Sequence, residues 1–178
     1  MTVADYDLVL SRSLDGWRPD EVGTLLFLRR DDEVLLIRKK RGHGAGKINA
    51  PGGKIDPGES PLQAAVRETV EETGVVVTEA MLAGRFRFVE LNGPQWLGFV
   101  FLASLYEGEP RETEEADPFW CPVTALPFDQ MWEDDRHWLP RLLEGERLEG
   151  DFLFDDGRLL AHRLGPMAAA EYEGDTGG

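Results

Sequence analysis

Cysteine, lysine and long apolar runs are all scarce in this 178-residue chain. A single cysteine, Cys121, excludes an intramolecular disulfide framework and fits a reducing, cytoplasmic setting. It lies in the strand-like stretch FWCPV, where a small buried hydrophobe is the expected role. No run of about 18 apolar residues occurs, so no membrane-spanning helix is expected. The opening stretch, MTVADYDLVL, lacks the basic, apolar, small-residue order of a secretory signal. Positive charge is short as well. The net charge is −15, whereas a nucleic-acid polymer needs clustered Lys and Arg against its phosphates. Anions must therefore be held locally, by a metal ion or a few placed cations. Internal repeats and low-complexity segments are missing too.

What is present suffices for one domain. Apolar residues make up 42% of the chain, with five Trp and nine Phe. Residues 1–20 read as a loosely packed N-terminal extension, 21–165 as the folded domain and 166–178 as a flexible tail. GTLLFLRR and EVLLIRKK form a predicted hairpin around Asp31-Asp32, followed by the Gly-rich loop RGHGAG. GRFRFVE, WLGFVFLASL and DPFWCPV read as strands, and DDRHWLPRLLEG as a helix carrying Pro140. EGDFLFDDGRLLAHRL reads as a second hairpin turning at Asp155-Asp156-Gly157. Mixed strands with two helices imply an α+β class or a small α/β/α sandwich.

The clearest helix runs from Pro61 to Thr73. Ser60 and Gln63 form a capping box, Pro61 suits the first turn, and Gly74 supplies the stop. At about 100° per residue, Leu62, Ala65, Val66, Thr69 and Thr73 share a packing face. Glu68, Glu71 and Glu72 gather on another, spaced i, i+3 and i+4. Like charges so placed destabilise a helix; Arg67 can offset this by reaching Glu71. Two readings remain open for the acids: a solvated face, or oxygen ligands for a divalent cation.

The wider pattern is Gly53, five residues, Glu59, seven residues, Arg67-Glu68, two residues, Glu71-Glu72, one residue, Gly74 and Val75. It resembles the signature of the Nudix hydrolases, with Thr69 where that family usually has a bulky aliphatic. The resemblance implies a Nudix fold, an α/β/α sandwich with a mixed curved sheet, and hydrolysis of nucleoside diphosphate derivatives with Mg²⁺ or Mn²⁺. It places Glu68, Glu72 and Glu71 on the metal with the Gly52 carbonyl, and Glu59 and Arg67 in the catalytic set. One carboxylate would help to activate water.

Beyond that box, KKRGHGAGKINAPGGK and PFDQMWEDDRHWLPRLL resemble the oxidised-purine nucleoside triphosphatases, the 8-oxo-dGTP diphosphatase type. That resemblance implies a base stacked on Trp132 and read by Asn49, Asp134 and Asp135. It adds Thr24, Lys39, Pro51, Gly52, Gly53 and Lys54 to the substrate site, and Glu115 to the metal side. Phe86, Phe88 and Trp96 would wall the pocket. In the Gly-rich loop this chain has His43 where the family carries an aromatic.

Two close aspartates cannot both ionise easily when partly buried, so one can donate a hydrogen bond while the other accepts. Asp134 could equally be the N-cap of the following helix. The reading is a monomeric pyrophosphohydrolase that converts oxidised purine nucleoside triphosphates to monophosphate and pyrophosphate. Its rivals are activity on ADP-ribose or a dinucleoside polyphosphate, and a non-catalytic nucleotide sensor. His137 and His162 read as surface or interface residues, and Trp138 as core.

Overall fold

Alternating apolar residues along the strands divide a central sheet into two buried faces. A computed structural model describes residues 1–168. The strands are β1 (Glu21–Arg30), β2 (Glu33–Lys39), β3 (Ile48–Asn49), β4 (Gly52–Lys54), β5 (Val76–Glu90), β6 (Trp96–Glu107), β7 (Ala116–Pro122), β8 (Leu148–Asp155) and β9 (Arg158–Pro166). The helices are α1 (Val3–Ser13), α2 (Pro61–Thr73) and α3 (Asp135–Leu143). Sheet order is β3-β2-β1-β6-β5-β8-β9, with β4 paired to β1 and β7 to β2. The sheet is mixed: β1–β6 and β5–β8 are parallel and the other pairs antiparallel.

On β1, Leu26 and Leu28 cluster with Ala65 of α2, whereas Phe27 clusters with Trp138, Leu139 and Leu142 of α3. On β8, Phe152 and Phe154 join the α3 side, and Leu153 faces Leu10 of α1. Helices therefore cover both faces, as the expected sandwich requires. Among the described residues no helix is long and apolar enough to cross a membrane.

Local signals in the sequence place most elements. Helix α2 has its Ser60–Gln63 capping box and a left-handed Gly74 cap, φ 79°. The β8–β9 hairpin turns on Asp156 and Gly157, both at positive φ, as a two-residue turn between twisted strands requires. Pro140 sits inside α3 without ending it. Cys121 is buried, as expected. The first hairpin is shorter than anticipated, because β1 and β2 pair only at Arg29–Val34 and Arg30–Glu33. Beyond that, β4 takes the place beside β1 and β7 pairs along β2.

Residues 1–20 are not loosely packed. Thr2 and Asp5 form a reciprocal capping box, and Leu10 is fully buried against Val89, Leu153 and Ala161. Arg163 of β9 donates to the Asp7 carbonyl at 3.0 Å. The expected tail from 166 onward begins too early, since Pro166 ends β9 and Met167 is buried. Residues 169–178 lie outside the described residues.

Truncating Leu10 leaves a cavity under α1, so Leu10→Ala should destabilise the chain by about 2–5 kcal/mol. Urea unfolding checks this; an unchanged midpoint would restore the loose extension.

Candidate active site

Helix α2 presents Glu68 and Glu72 one turn apart toward β4. Glu115, just before β7, completes a group of three carboxylates that each place an oxygen within 4.8 Å of the others. Glu72 is 2% exposed. One of its oxygens accepts the Gly52 N–H at 3.4 Å, and the other is buried without a partner. Burial raises its carboxyl to about 8, with Glu68 adding to the rise and Lys39 opposing it. Burial also raises Glu68. An orphaned buried carboxylate oxygen beside two further acids is a donor set suited to a hard divalent cation.

Two glycines permit this crowding. A Cβ on Gly52 would lie 1.9 Å from the Thr24 carbonyl oxygen, and one on Gly53 would lie 2.5–2.8 Å from the Glu68 carboxylate. Thr69 supplies the polar counterpart on the packing face. Its hydroxyl donates to the Ala65 carbonyl at 2.8 Å, so it is buried without loss.

Arg67 clamps the edge of the cluster. Its Nε and Nη2 donate to both Glu59 oxygens at 2.5 and 2.9 Å, and its Nη1 donates to Glu68 at 2.9 Å. The same Nη1 lies 3.3 Å from Glu71, which is exposed and outside the three-acid group. The Glu59 carboxyl is held below its ordinary range by Arg67, whose own guanidinium is raised in turn. Glu59 and Arg67 thus position Glu68 instead of joining the cluster. Gly52 is seen here through its N–H to Glu72.

A cavity of about 950 Å³ runs from Glu72 toward the start of α3. Trp132, Asp134, Asp135, Asn49, Phe88 and Trp96 line it. Asp134 is 3% exposed and stands at the N-cap position of α3, but its side chain caps nothing. Instead it accepts the Trp138 indole N–H at 2.8 Å, while Asp135 accepts the Trp132 backbone N–H at 3.1 Å. Each acid retains a second oxygen for a ligand. Burial pushes Asp134 up to about 6 and Asp135 well above its ordinary value, with Asp134 adding to the latter. Asn49 caps the Ala50 N–H through its oxygen at 2.8 Å, which leaves the amide NH₂ as a donor.

The other expected residues divide. Lys39 lines the cavity, as do Thr24 and Lys54. Thr24 is buried and its hydroxyl donates to the Gly53 carbonyl at 3.3 Å, whereas Lys54 pairs with Glu21 at 2.9 Å. Pro51 is buried behind the wall, its carbonyl accepting the Leu26 N–H at 2.9 Å. Phe86 belongs to the core, 5.0 Å from Trp138 between ring centroids, and only Phe88 of that pair reaches the cavity. Trp138 is core, as expected. His137 and His162 stack on each other at 4.1 Å. Sequence reasoning missed Lys47, whose ammonium lies 4.8 Å over Trp132. One signal was available: all four lysines, Lys39, Lys40, Lys47 and Lys54, fall between residues 39 and 54.

The NUDIX domain family matches this chain over residues 17–142. The chain belongs to the Nudix family. The oxidized purine nucleoside triphosphate hydrolase of Danio rerio is 42% identical to this Nudix chain over 143 residues, covering 79% of it and 92% of the relative. The Mus musculus protein of the same description is 37% identical over 134 residues, covering 75% and 86%. The crystal structure of a MutT protein from Bacillus halodurans matches with TM-score 0.73 and 31% identity, covering 83% of this chain and 99% of that one.

Because Asp134 prefers its proton in the fold, ionising it costs stability as pH rises from the unfolded value near 4 to about 6. Asp134→Asn escapes that cost and keeps an acceptor for Trp138. Its urea midpoint should gain on that of the native chain across this window, and a pH-independent difference would refute the burial argument. A metal held by Glu68, Glu72 and Glu115 makes a second prediction. Mg²⁺ should raise the Tm of the native chain and of Glu71→Gln, but not that of Glu72→Gln. A Tm gain retained in Glu72→Gln would relocate the site.

Proposed function

We propose that this Nudix enzyme hydrolyses oxidised purine nucleoside triphosphates, such as 8-oxo-dGTP and 2-hydroxy-dATP, to the monophosphate and pyrophosphate, clearing them from the nucleotide pool. The observation that carries this is one cavity that runs from Glu72, a member of the three-carboxylate group, to an indole beside two buried aspartates. The names of the two vertebrate relatives agree with it.

Glu68, Glu72 and Glu115, with the Gly52 carbonyl, would hold Mg²⁺ or Mn²⁺, which when bound neutralises phosphate charge and acidifies water. One of the carboxylates accepts the proton of the attacking water. Arg67 fixes the aim of Glu68, and Glu59 fixes Arg67. Lys39 lines the cavity, acts on Glu72 and meets remaining phosphate charge in a chain of net charge −15, whereas Lys47 lies over Trp132. At the other end Trp132 supplies the stacking surface. Asp134 and Asp135 share a proton, giving one donor and one acceptor for the purine edge, and a shift of that proton admits related oxidised bases. The single reduced Cys121 supports a cytoplasmic setting.

A panel of nucleotides assayed with Mg²⁺ and ranked by kcat/KM tests the reading. Oxidised purine triphosphates should lead; ADP-ribose or a dinucleoside polyphosphate in first place would overturn it. Glu72→Gln should lose at least about 10²-fold in kcat. Trp132→Ala should raise KM about 10- to 100-fold, as expected when base stacking is lost.

A further inference from the structure

The base end of the cavity already contains an aromatic ring. His43, in the Gly-rich loop between β2 and β3, stacks on Trp132 with centroids 5.2 Å apart and planes 15° apart. It stacks equally on Trp96, at 5.2 Å and 22°. Near-parallel offset stacking on an indole is also how a purine would lie there.

The loop is rich in glycines at positive φ. Gly42, Gly44 and Gly46 have φ of 79°, 77° and 87°, conformations that L side chains rarely adopt. The Gly44 backbone packs beside the Trp132 ring, where an added Cβ would still make ordinary contact at 3.4 Å, so it is the positive φ that calls for glycine. His43 itself is exposed at the cavity mouth, and leaving it breaks no core packing. Partial burial, reinforced by Lys39 and Lys54, lowers its pKa and favours the neutral ring. A second observation points the same way. The Trp96 indole N–H is buried and has no acceptor. An unpaired buried donor is unfavourable, and a ligand that brought an acceptor to it would relieve that cost.

We propose that His43 is an internal stand-in for the base: in the free protein it occupies the stacking position on Trp132, and an incoming purine displaces it. The proposal rests on the base-pocket reading above. Affinity is then reduced by the fraction of molecules in which the slot is filled by the chain itself. A purine regains this through the contacts an imidazole in that slot does not make, to Asp134, Asp135 and Asn49.

The test measures binding of 8-oxo-dGMP and dGMP without metal to the native chain, His43→Ala and His43→Phe, by calorimetry. In parallel, the His43 ring protons are followed by NMR, where the chain offers only three histidines. In the free protein the His43 resonance should carry an upfield ring-current shift that collapses toward the solvent value on saturation with 8-oxo-dGMP. His43→Ala should bind both nucleotides about three- to tenfold tighter. His43→Phe, which restores a competing ring, should bind no tighter than the native chain. Weaker binding by His43→Ala, or an upfield shift that persists at saturation, would overturn the proposal and make His43 a wall of the base site. If the native chain binds neither nucleotide, the base-pocket reading fails and the proposal falls with it. If the native chain binds and His43→Ala is no tighter, the proposal alone fails.

Discussion

The repulsion between Glu68 and Glu72 is the constraint around which the rest of the site is arranged. A helix tolerates like charges one turn apart when water screens them, but Glu72 is buried and one of its oxygens is unpartnered. The neighbours make that burial tolerable. Gly52 brings a backbone N–H to Glu72, Lys39 favours its charged form, and Arg67 takes an oxygen of Glu68. Each then imposes its own requirement. Arg67 needs Glu59 on its far side, Gly52 must lack a side chain for β4 to fit against β1, and a side chain at Gly53 would push the Glu68 carboxylate aside. The spacing of the sequence motif is thus the trace of a single packing problem: seating acids where a cation, and not water, is meant to neutralise them.

The two ends of the cavity solve opposite electrostatic problems. At the end by Glu72, acids are crowded and Lys39 opposes the rise of the Glu72 carboxyl. At the end by Trp132, burial lifts both aspartate carboxyls above their ordinary range, and Lys47 only partly opposes this at Asp135. The strong negative charge of the chain bears little on either, because both are governed by residues within the cavity.

What could be read from the sequence was what depends on neighbours along the chain. Helix α2, its caps and the turn at Asp156-Gly157 rest on local hydrogen bonds and local dihedral preferences, and they form where expected. The acids Glu68 and Glu72 were visible through helical spacing; Glu115 became visible only through family resemblance, because nothing local links it to α2. Asp134 shows the limit plainly. An N-cap and a ligand-reading acid use the same oxygen atoms, and only the packed position of Trp138 decides which role the side chain can take. Helix α1 has a capping box in plain view, yet its stability comes from Val89, Leu153 and Ala161, remote positions on three strands. Phe86 and Phe88 were expected to act as a pair because strand residues alternate. They do share a face, but that face runs from the core under α3 out to the cavity, and the two rings end on different sides of its border.

Trp138 joins the interior to the buried Asp134 through a single side chain. Its ring is wedged edge-on to Phe27 at 5.9 Å and tilted against Phe86, while its N–H holds Asp134. A change in how those core rings nest would rotate the indole, and with it the acid. If Asp134 reads the base as proposed, base preference can drift while every residue lining the cavity beside it stays the same. The record of such a shift would lie in the interior of the protein, among positions that a comparison of binding sites would never inspect.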